Sequence, residues 1–380
     1  MKIALFISSL QDGGAERVLS ILANAFHRRG HQVVLVHLDV GLARPFYPID
    51  PGVQVIATGL NRASPSLLLG LAANMGRIRR LRSILQGIQP DVLLSFMDTA
   101  NVLAILATRG TGIPTIVSER MDPRGNPLSP LWRALRLLAY TLGEGLVTQS
   151  CGARDFFPPW IRRKSVILPN PILTPGPAGT APSEQSRGPV AIAMGRLDRT
   201  KGFDVLLSAF ALALRTCPAW SLCILGEGAE RSNLEALARR LGIHERVQFP
   251  GRIQEPHSRL CKANLFILSS RVEGFPNALC EAMACGLPVI STECTDSIRT
   301  ILEDGQAGRI VPPEDPGSLA TAMVELMENP ERRKVMGERA HQSVARFQGS
   351  TVIEAWERLL EGARSGRPPG VGHSLPDADP

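Results

Sequence analysis

Residues 269–292 read SSRVEGFPNALCEAMACGLPVIST, and this stretch decides the fold of the chain. The apolar run just before it, LFIL at 265–268, has the length and composition of a buried strand. A polar turn with Glu273, Gly274 and Pro276 follows. The spacing then predicts a helix from about Asn277 that carries Glu281 and stops at Cys285-Gly286, with a second strand from Pro288. Backbone N–H groups at such a helix start, those of Asn277, Ala278 and Leu279, suit phosphate oxygens, because they lack helical partners and the helix dipole favours negative charge there. Two carboxylates with seven residues between them, Glu273 in the turn and Glu281 on the helix, can each accept hydrogen bonds from sugar hydroxyls. The ligand this chemistry suits is phosphorylated and rich in hydroxyl groups.

Outward from there, the chain repeats the same alternation. Strands are predicted at 2–8, 33–38, 53–57, 91–96, 114–118 and 146–148. Helices fall between them at 15–29, 66–86, 99–108 and 128–141. A second series has strands at 190–194, 221–225, 247–249, 265–268, from 288, and at 309–311. It is followed by helices at 316–328 and 331–346 and a last one at 351–361 containing Trp356. Strands alternating with helices predict parallel sheets covered on both faces. Residues 170–189 hold Pro171, Pro175, Pro177, Pro182 and Pro189 among Gly, Ser and Ala, which reads as a linker. Residues 365–380 are rich in Pro and Gly and read as a disordered tail.

Composition sets bounds. A chain of 380 residues, 44% hydrophobic and 20% charged, is an ordinary globular protein of two or three domains. Seven scattered cysteines without a C-x-x-C pair suggest neither a zinc site nor a disulfide framework, and fit a reducing cytosol. No apolar run approaches the length of a membrane span. Met1-Lys2 and the apolar residues after them have the flavour of a signal peptide, but no small-residue cleavage site follows, so they read as a strand.

The net charge of +7 is uneven: residues 1–172 hold 19 Lys and Arg against 10 Asp and Glu, a balance of +9. Such asymmetry points to an anionic surface or ligand for the first half. Nucleic acid is disfavoured by the 5% aromatic content and the absence of a binding motif. The arginines are densest at Arg77, Arg79, Arg80 and Arg82, beside Leu67–Leu69, Leu71, Ile78, Leu81, Ile84 and Leu85. This segment reads either as a solvated helix face or as a face lying on anionic lipid headgroups.

Three further loops carry candidate chemistry. Gly13 and Gly14, between the first strand and its helix, let a bulky or phosphorylated ligand approach the backbone. A dinucleotide fold, with Asp39 as ribose ligand after the second strand, competes here, but the G-x-G-x-x-G spacing is absent. In the turn after 190–194, Arg196 and Lys201 suit a diphosphate, one as a fork and one as a point charge. Ser118, Glu119 and Arg120 end the strand at 114–118, at an edge where ligands bind; Glu119 and Arg120 are either a functional pair or a simple ion pair.

The string EGFPNALCEAMACGLPVI, with Glu273-x7-Glu281, resembles the signature of retaining glycosyltransferases of family 4. GGAERVL at 13–19 is similar to that family's glycine loop near the diphosphate and acceptor. The resemblance implies a GT-B fold, two Rossmann-like doubly wound domains facing across a cleft. The acceptor domain would span 1–172, the linker 173–189 and the donor domain 190–346. A helix at 347–362 would cross back to the first domain, ahead of the tail from 363.

For the site, the resemblance implies that Glu273 faces the donor sugar and Glu281 holds the ribose. Arg196 and Lys201 would offset the diphosphate, and backbone after Gly251, through Ile253, would meet the base. Gly274, Phe275, Asn277, Ala278 and Leu279 would complete the nucleotide site. Many members carry a His where this chain has Ser118, Glu119 and Arg120, and that segment resembles a subgroup adding amino sugars to lipid-linked oligosaccharides.

The implied reaction is retaining transfer of a hexose or N-acetylhexosamine from a nucleoside-diphosphate sugar, UDP foremost, to a saccharide or lipid-linked acceptor. Neither metal nor other cofactor is implied; the one D-x-D, Asp377-Ala-Asp379, lies in the tail. The place of work implied is the cytoplasm, peripheral on the inner face of the membrane. The alternatives are a non-catalytic sugar-nucleotide binder and an epimerase or phosphorylase of the same architecture.

Overall fold

The structure, a computed structural model, describes residues 1–11, 13–40, 45–61, 67–125, 128–172, 188–253, 256–367 and 369. Most of the proline-rich segment at 173–189, the tail from 370 with Asp377 and Asp379, and the side chains of Leu67, Leu68, Leu69 and Leu71 lie outside the described residues. The chain divides into two units, Met1–Pro171 with Ser350–Pro380, and Ile172–Gly349.

The first unit is built on seven strands, β1 Lys2–Ile7, β2 Gln32–His37, β3 Gln54–Ala57, β4 Val92–Phe96, β5 Thr115–Ser118, β6 Gly145–Thr148 and β7 Ser165–Ile167. They pair in the order β3-β2-β1-β4-β5-β6-β7, all parallel. The second unit has six, β8 Val190–Met194, β9 Ser221–Leu225, β10 Val247–Gly251, β11 Leu265–Leu268, β12 Val289–Thr292 and β13 Arg309–Val311. Their order is β10-β9-β8-β11-β12-β13, again all parallel. In each sheet the order reverses beside the unit's first strand, between β1 and β4 and between β8 and β11. A crevice opens at the carboxyl ends of the strands at such a switch point, because the connecting helices leave on opposite faces.

The near-continuous apolar strands follow from burial on both faces. In β1, Ile3, Leu5 and Ile7 join a core with Leu19, Leu22 and Phe26 of the helix Gly14–Arg28. Ala4 and Phe6 point to the other core, with Leu81, Leu85 and Leu103. The last helix, Gly349–Arg364, also belongs to the first core: Trp356 is fully buried with its ring 5.9 Å from Phe96. Glu357 on that helix pairs with Arg29 and His31. In the second unit, Ala191 and Ala193 pack with Phe203, Leu206 and Phe210, while Ile192 on the other face packs with Leu279, Cys280 and Met283.

Two expectations change. β7 has no counterpart in the sequence reading, because three residues, Ser-Val-Ile, carry too little periodicity to register as a strand. The basic helix, Leu67–Ile88, is bound up with the fold more than its composition suggests. Leu81 and Leu85 are fully buried, and Ile78 and Ile84 pack on the same core. Arg82 donates to the carbonyls of Leu106, Ala107 and Arg109 at the end of the helix Asp98–Thr108, where a cation satisfies open carbonyls and complements the dipole. Arg77 donates to Leu60 O and Asn74 Oδ1. Only Arg79 and Arg80 of the four stand in solvent.

Candidate active site

The switch point of the second sheet gathers the residues singled out in the loops after β8 and β11. The loop after β8 turns at Asp198, whose carboxylate accepts from the Thr200 N–H at 2.9 Å and from Arg196 Nε at 2.8 Å. A short 3₁₀ turn, Arg199–Lys201, leads to Gly202 at φ +62° and then the helix Phe203–Ala213. Gly202 is required on two counts: its backbone is left-handed, and a Cβ there would lie 2.1 Å from the Ser269 carbonyl oxygen. That contact brings the loop after β8 against the loop after β11.

Further hydrogen bonds tie the loop after β11 to the loop and helix after β8. Ser269 Oγ donates to Lys201 O at 2.9 Å, and Arg271 N to Thr200 O at 2.7 Å. Arg271 grips Asp204 with both terminal nitrogens, at 2.9 and 2.8 Å. The consequence is a charge-assisted bond from Lys201 Nζ to Glu273 Oε1 of 2.6 Å, between residues 72 positions apart. Ser270 Oγ donates to the same oxygen at 2.7 Å. Both partners are largely shielded, with 21% and 11% of their side chains exposed. Arg196 differs: 67% of its side chain is exposed and it faces Asp198.

The neighbouring loops are held as closely. A Cβ on Gly226 would meet the Gly195 carbonyl oxygen at 1.9 Å, and one on Gly228 the Leu197 carbonyl oxygen at 2.3 Å. Gly226 N donates to Gly251 O at 3.0 Å, and Gly251 ends β10 at φ +87° after a register shift from Gln248. Ile253 beyond it packs on the β11 side of the core.

After Gly274, Phe275 is buried edge-on against Phe347, ring centres 5.8 Å apart, and fixes the entry to the helix Asn277–Ala284. Glu281 lies on that helix and is buried. At the helix start the sequence expectation needs correction. The Asn277 N–H already donates to Phe275 O at 2.9 Å, because the chain turns tightly at Pro276, so Ala278 and Leu279 remain of the three groups expected to be open. Sequence reasoning did not single out Ser270, Arg271 or Asp198. Ser270 stood inside the quoted stretch, at the strand end three residues before Glu273, and that position was the available signal.

The carboxyl edge of the first sheet holds the remaining candidates. Gly13 and Gly14 open the helix after β1, but a Cβ at Gly13 would lie 2.0 Å from the Glu16 carboxylate. The Glu16 side chain thus lies against the Gly13 backbone. Asp39, the ribose ligand of the dinucleotide alternative, accepts from Leu10 N at 3.0 Å and from Asn61 Nδ2 at 2.9 Å.

Glu119 and Arg120 do not form the simple ion pair that is one of the two readings of the segment. Glu119 accepts from Tyr140 Oη at 2.7 Å and faces Arg136 Nη1 at 3.6 Å. Burial pushes its carboxyl up to about 7, against the lowering effect of Arg136 and Tyr140. Arg120 lies over the Phe96 ring, 4.3 Å from its centre, and donates to Ser118 Oγ at 3.2 Å and to Asn170 Oδ1.

Two Rossmann-like parallel sheets in one chain, with a lysine–glutamate pair at the second switch point, define the architecture of a GT-B glycosyltransferase. Residues 181–343 match the family Glycosyl transferases group 1, and residues 13–171 match the Glycosyl transferase 4-like domain. A lipopolysaccharide core biosynthesis glycosyltransferase, LpsE of Rhizobium meliloti, is 33% identical over 376 residues, covering 92% of this chain and 96% of the relative. The chain therefore belongs to the group 1, family 4 glycosyltransferases. It is also similar to the GalNAc-alpha-(1->4)-GalNAc-alpha-(1->3)-diNAcBac-PP-undecaprenol alpha-1,4-N-acetyl-D-galactosaminyltransferase of Campylobacter jejuni, at 29% identity over 95% of this chain and 98% of that one. Among solved structures, Anabaena HepE in complex with UDP superposes with a TM-score of 0.76 at 18% identity, covering 95% of this chain and all of that one.

Proposed function

We propose that the protein transfers a hexose or N-acetylhexosamine from a nucleoside-diphosphate sugar, UDP-linked, to a lipid-linked saccharide, with the α configuration kept and without a metal. The observation that carries this reading is the Lys201–Glu273 pair at the second switch point, 2.6 Å apart and largely shielded from water. A lysine there is a compact cation for the departing diphosphate, and a shielded site strengthens that attraction because little solvent screens it. Arg196, exposed and facing Asp198, is the second cation, offering the diphosphate a fork.

Glu273 then faces the donor sugar, Glu281 the ribose, and the backbone from Gly251 to Ile253 the base. Gly274, Phe275 and the N–H groups of Ala278 and Leu279 at the helix start complete the donor site, with Gly13 and Gly14 toward the acceptor. The UDP in the HepE complex supports the donor class, and the undecaprenol-linked substrate named for the Campylobacter relative supports the acceptor class. The test is release of UDP from UDP-N-acetylhexosamine that depends on an added polyprenyl-diphosphate-linked saccharide. Donor hydrolysis alone, or none, counts against the reading.

An acceptor held in a lipid suggests that the enzyme works at a membrane surface. No described helix is long and apolar enough to cross a bilayer. The helix Pro130–Leu142 instead exposes Leu131, Leu138 and Leu142 along one side, Leu138 to 64%, and Trp160 on the helix Pro159–Arg162 is 60% exposed. Arg133, Arg162 and Arg163 are exposed on the same two segments. Apolar side chains with a basic surround fit an anionic headgroup layer.

Co-sedimentation with anionic vesicles is expected at low salt and to weaken at high salt, because screening shortens the reach of the charges. Combined Leu138→Ser and Trp160→Ser should reduce binding several-fold, and Arg79→Ser with Arg80→Ser should reduce it less. Wild type that ignores anionic vesicles at low salt would end the membrane reading.

A further inference from the structure

Arg120 is a buried cation without an anion. Its side chain belongs to a residue only 7% exposed. Among the described residues no carboxylate lies within ion-pair distance of it, and both hydrogen bonds it makes go to neutral oxygens, Ser118 Oγ and Asn170 Oδ1. Its Nε, also buried, has no partner. The nearest carboxylates in sequence are committed elsewhere. Glu119 serves Arg136 and Tyr140, while Asp122 takes three bonds from the Arg124 guanidinium, at 3.0, 3.2 and 2.6 Å, and one from its N–H at 2.9 Å.

Arg136 is the internal comparison. It is as deeply buried as Arg120, yet it has its carboxylate at 3.6 Å. Burying a guanidinium without a counter-charge is costly, and burial accordingly pushes Arg120 down to about 9. Such a charge persists where something other than stability selects it.

The position names what that is. Arg120 stands two residues beyond the end of β5 and lies on Phe96, the last residue of β4. Asn170, which follows β7, also accepts from Gln149 Nε2 at 2.6 Å, and Gln149 follows β6. The guanidinium is thus held by residues at the carboxyl ends of four successive parallel strands, the edge at which α/β sheets bind ligands. Phe96 supports one face of the fork, and Ser118 and Asn170 fix its orientation.

We propose that Arg120 is a preformed receptor for a substrate phosphate, the anion supplying the counter-charge that the fold withholds. The proposal rests on the glycosyltransferase reading for the identity of the substrates, and either of them brings the same chemistry: the donor as a nucleoside diphosphate, the acceptor as a polyprenyl diphosphate. This gives the segment Ser118-Glu119-Arg120 two roles, Glu119 tying down the helix Pro130–Leu142 through Arg136 and Tyr140, and Arg120 reading charge.

The test is calorimetric binding of UDP against uridine, and of farnesyl diphosphate against farnesol, to wild type, Arg120→Gln, Arg120→Lys and Asn170→Asp. Arg120→Gln is expected to weaken one diphosphate at least ten-fold and to leave uridine and farnesol unchanged, with Arg120→Lys recovering part of the loss. Loss for UDP assigns the anion to the donor; loss for farnesyl diphosphate assigns it to the acceptor. Asn170→Asp places a carboxylate against the guanidinium, so it should keep or raise the melting temperature while weakening the same ligand about ten-fold. It also decides the matter should Arg120→Gln fail to fold. Both diphosphates bound within two-fold of wild type by folded Arg120→Gln, or by Asn170→Asp, would overturn the proposal. Sugar transfer enters none of these readouts, so failure to find turnover and failure of this site are separate results.

Discussion

Glu281→Ala is expected to weaken UDP binding about ten- to a hundred-fold, while Glu273→Gln leaves UDP affinity nearly unchanged and lowers turnover instead. The magnitude is that of one hydrogen bond to a charged group, roughly 1.5–3 kcal/mol. Glu281 is buried on the helix that follows the Glu273 turn, so a ribose bound to it exchanges water for a fixed acceptor at small entropic cost. Glu273 is placed differently. Its Oε1 already takes bonds from Lys201 and Ser270, and glutamine keeps the shape and the acceptor for Ser270 while discarding the charge. Releasing Lys201 from its ion pair leaves the cation available to the diphosphate, which is why nucleotide affinity survives. What is lost is the carboxylate beside the sugar during reaction, and that loss appears in turnover. Unchanged affinity and unchanged turnover in both variants would sink the assignment of the two glutamates.

The second large effect concerns charge. Lys201→Ala should weaken UDP about ten- to a hundred-fold more than it weakens uridine, since the side chain is shielded and the diphosphate is the only part of the nucleotide assigned to it. Arg196→Ala should follow the same pattern with a smaller loss, a few-fold, because an exposed guanidinium is screened and must give up its Asp198 contact. Calorimetry with the two ligands separates the cases. Equal losses for UDP and uridine would mean that these residues support the loop and do not hold phosphate. Lys201→Ala also unpairs Glu273, so melting temperatures belong beside the titrations.

The architecture was legible because its signals are local. LFIL at 265–268 is a strand by composition and length, and the alternation of such runs with amphipathic stretches is enough for parallel sheets. The switch-point pair was half legible. Lys201 and Glu273 each stood on a strand-to-helix turn, but nothing in sequence says that residues 72 apart share a bond; that follows from Gly202 seating on the Ser269 carbonyl. The arginines at 77–82 show the opposite failure. Composition made them a surface, while packing sends Arg82 to the end of one helix and Arg77 to the Leu60 carbonyl. Glu119 and Arg120, adjacent in sequence at the end of a strand, point to opposite sides, as successive strand residues do, and so find different partners. Composition alone places charges on a surface; which of them the fold consumes is settled by contacts far apart in the chain.

Sugar transfer from a nucleotide donor with the anomeric configuration kept can be read from proton NMR of the product formed from a UDP-α-N-acetylhexosamine and a polyprenyl-diphosphate-linked saccharide, in buffer with a chelator. An α-linked product is expected, formed at an undiminished rate with chelator present and lost in Glu273→Gln. A β-linked product, or activity that chelator removes and a divalent cation restores, would contradict it.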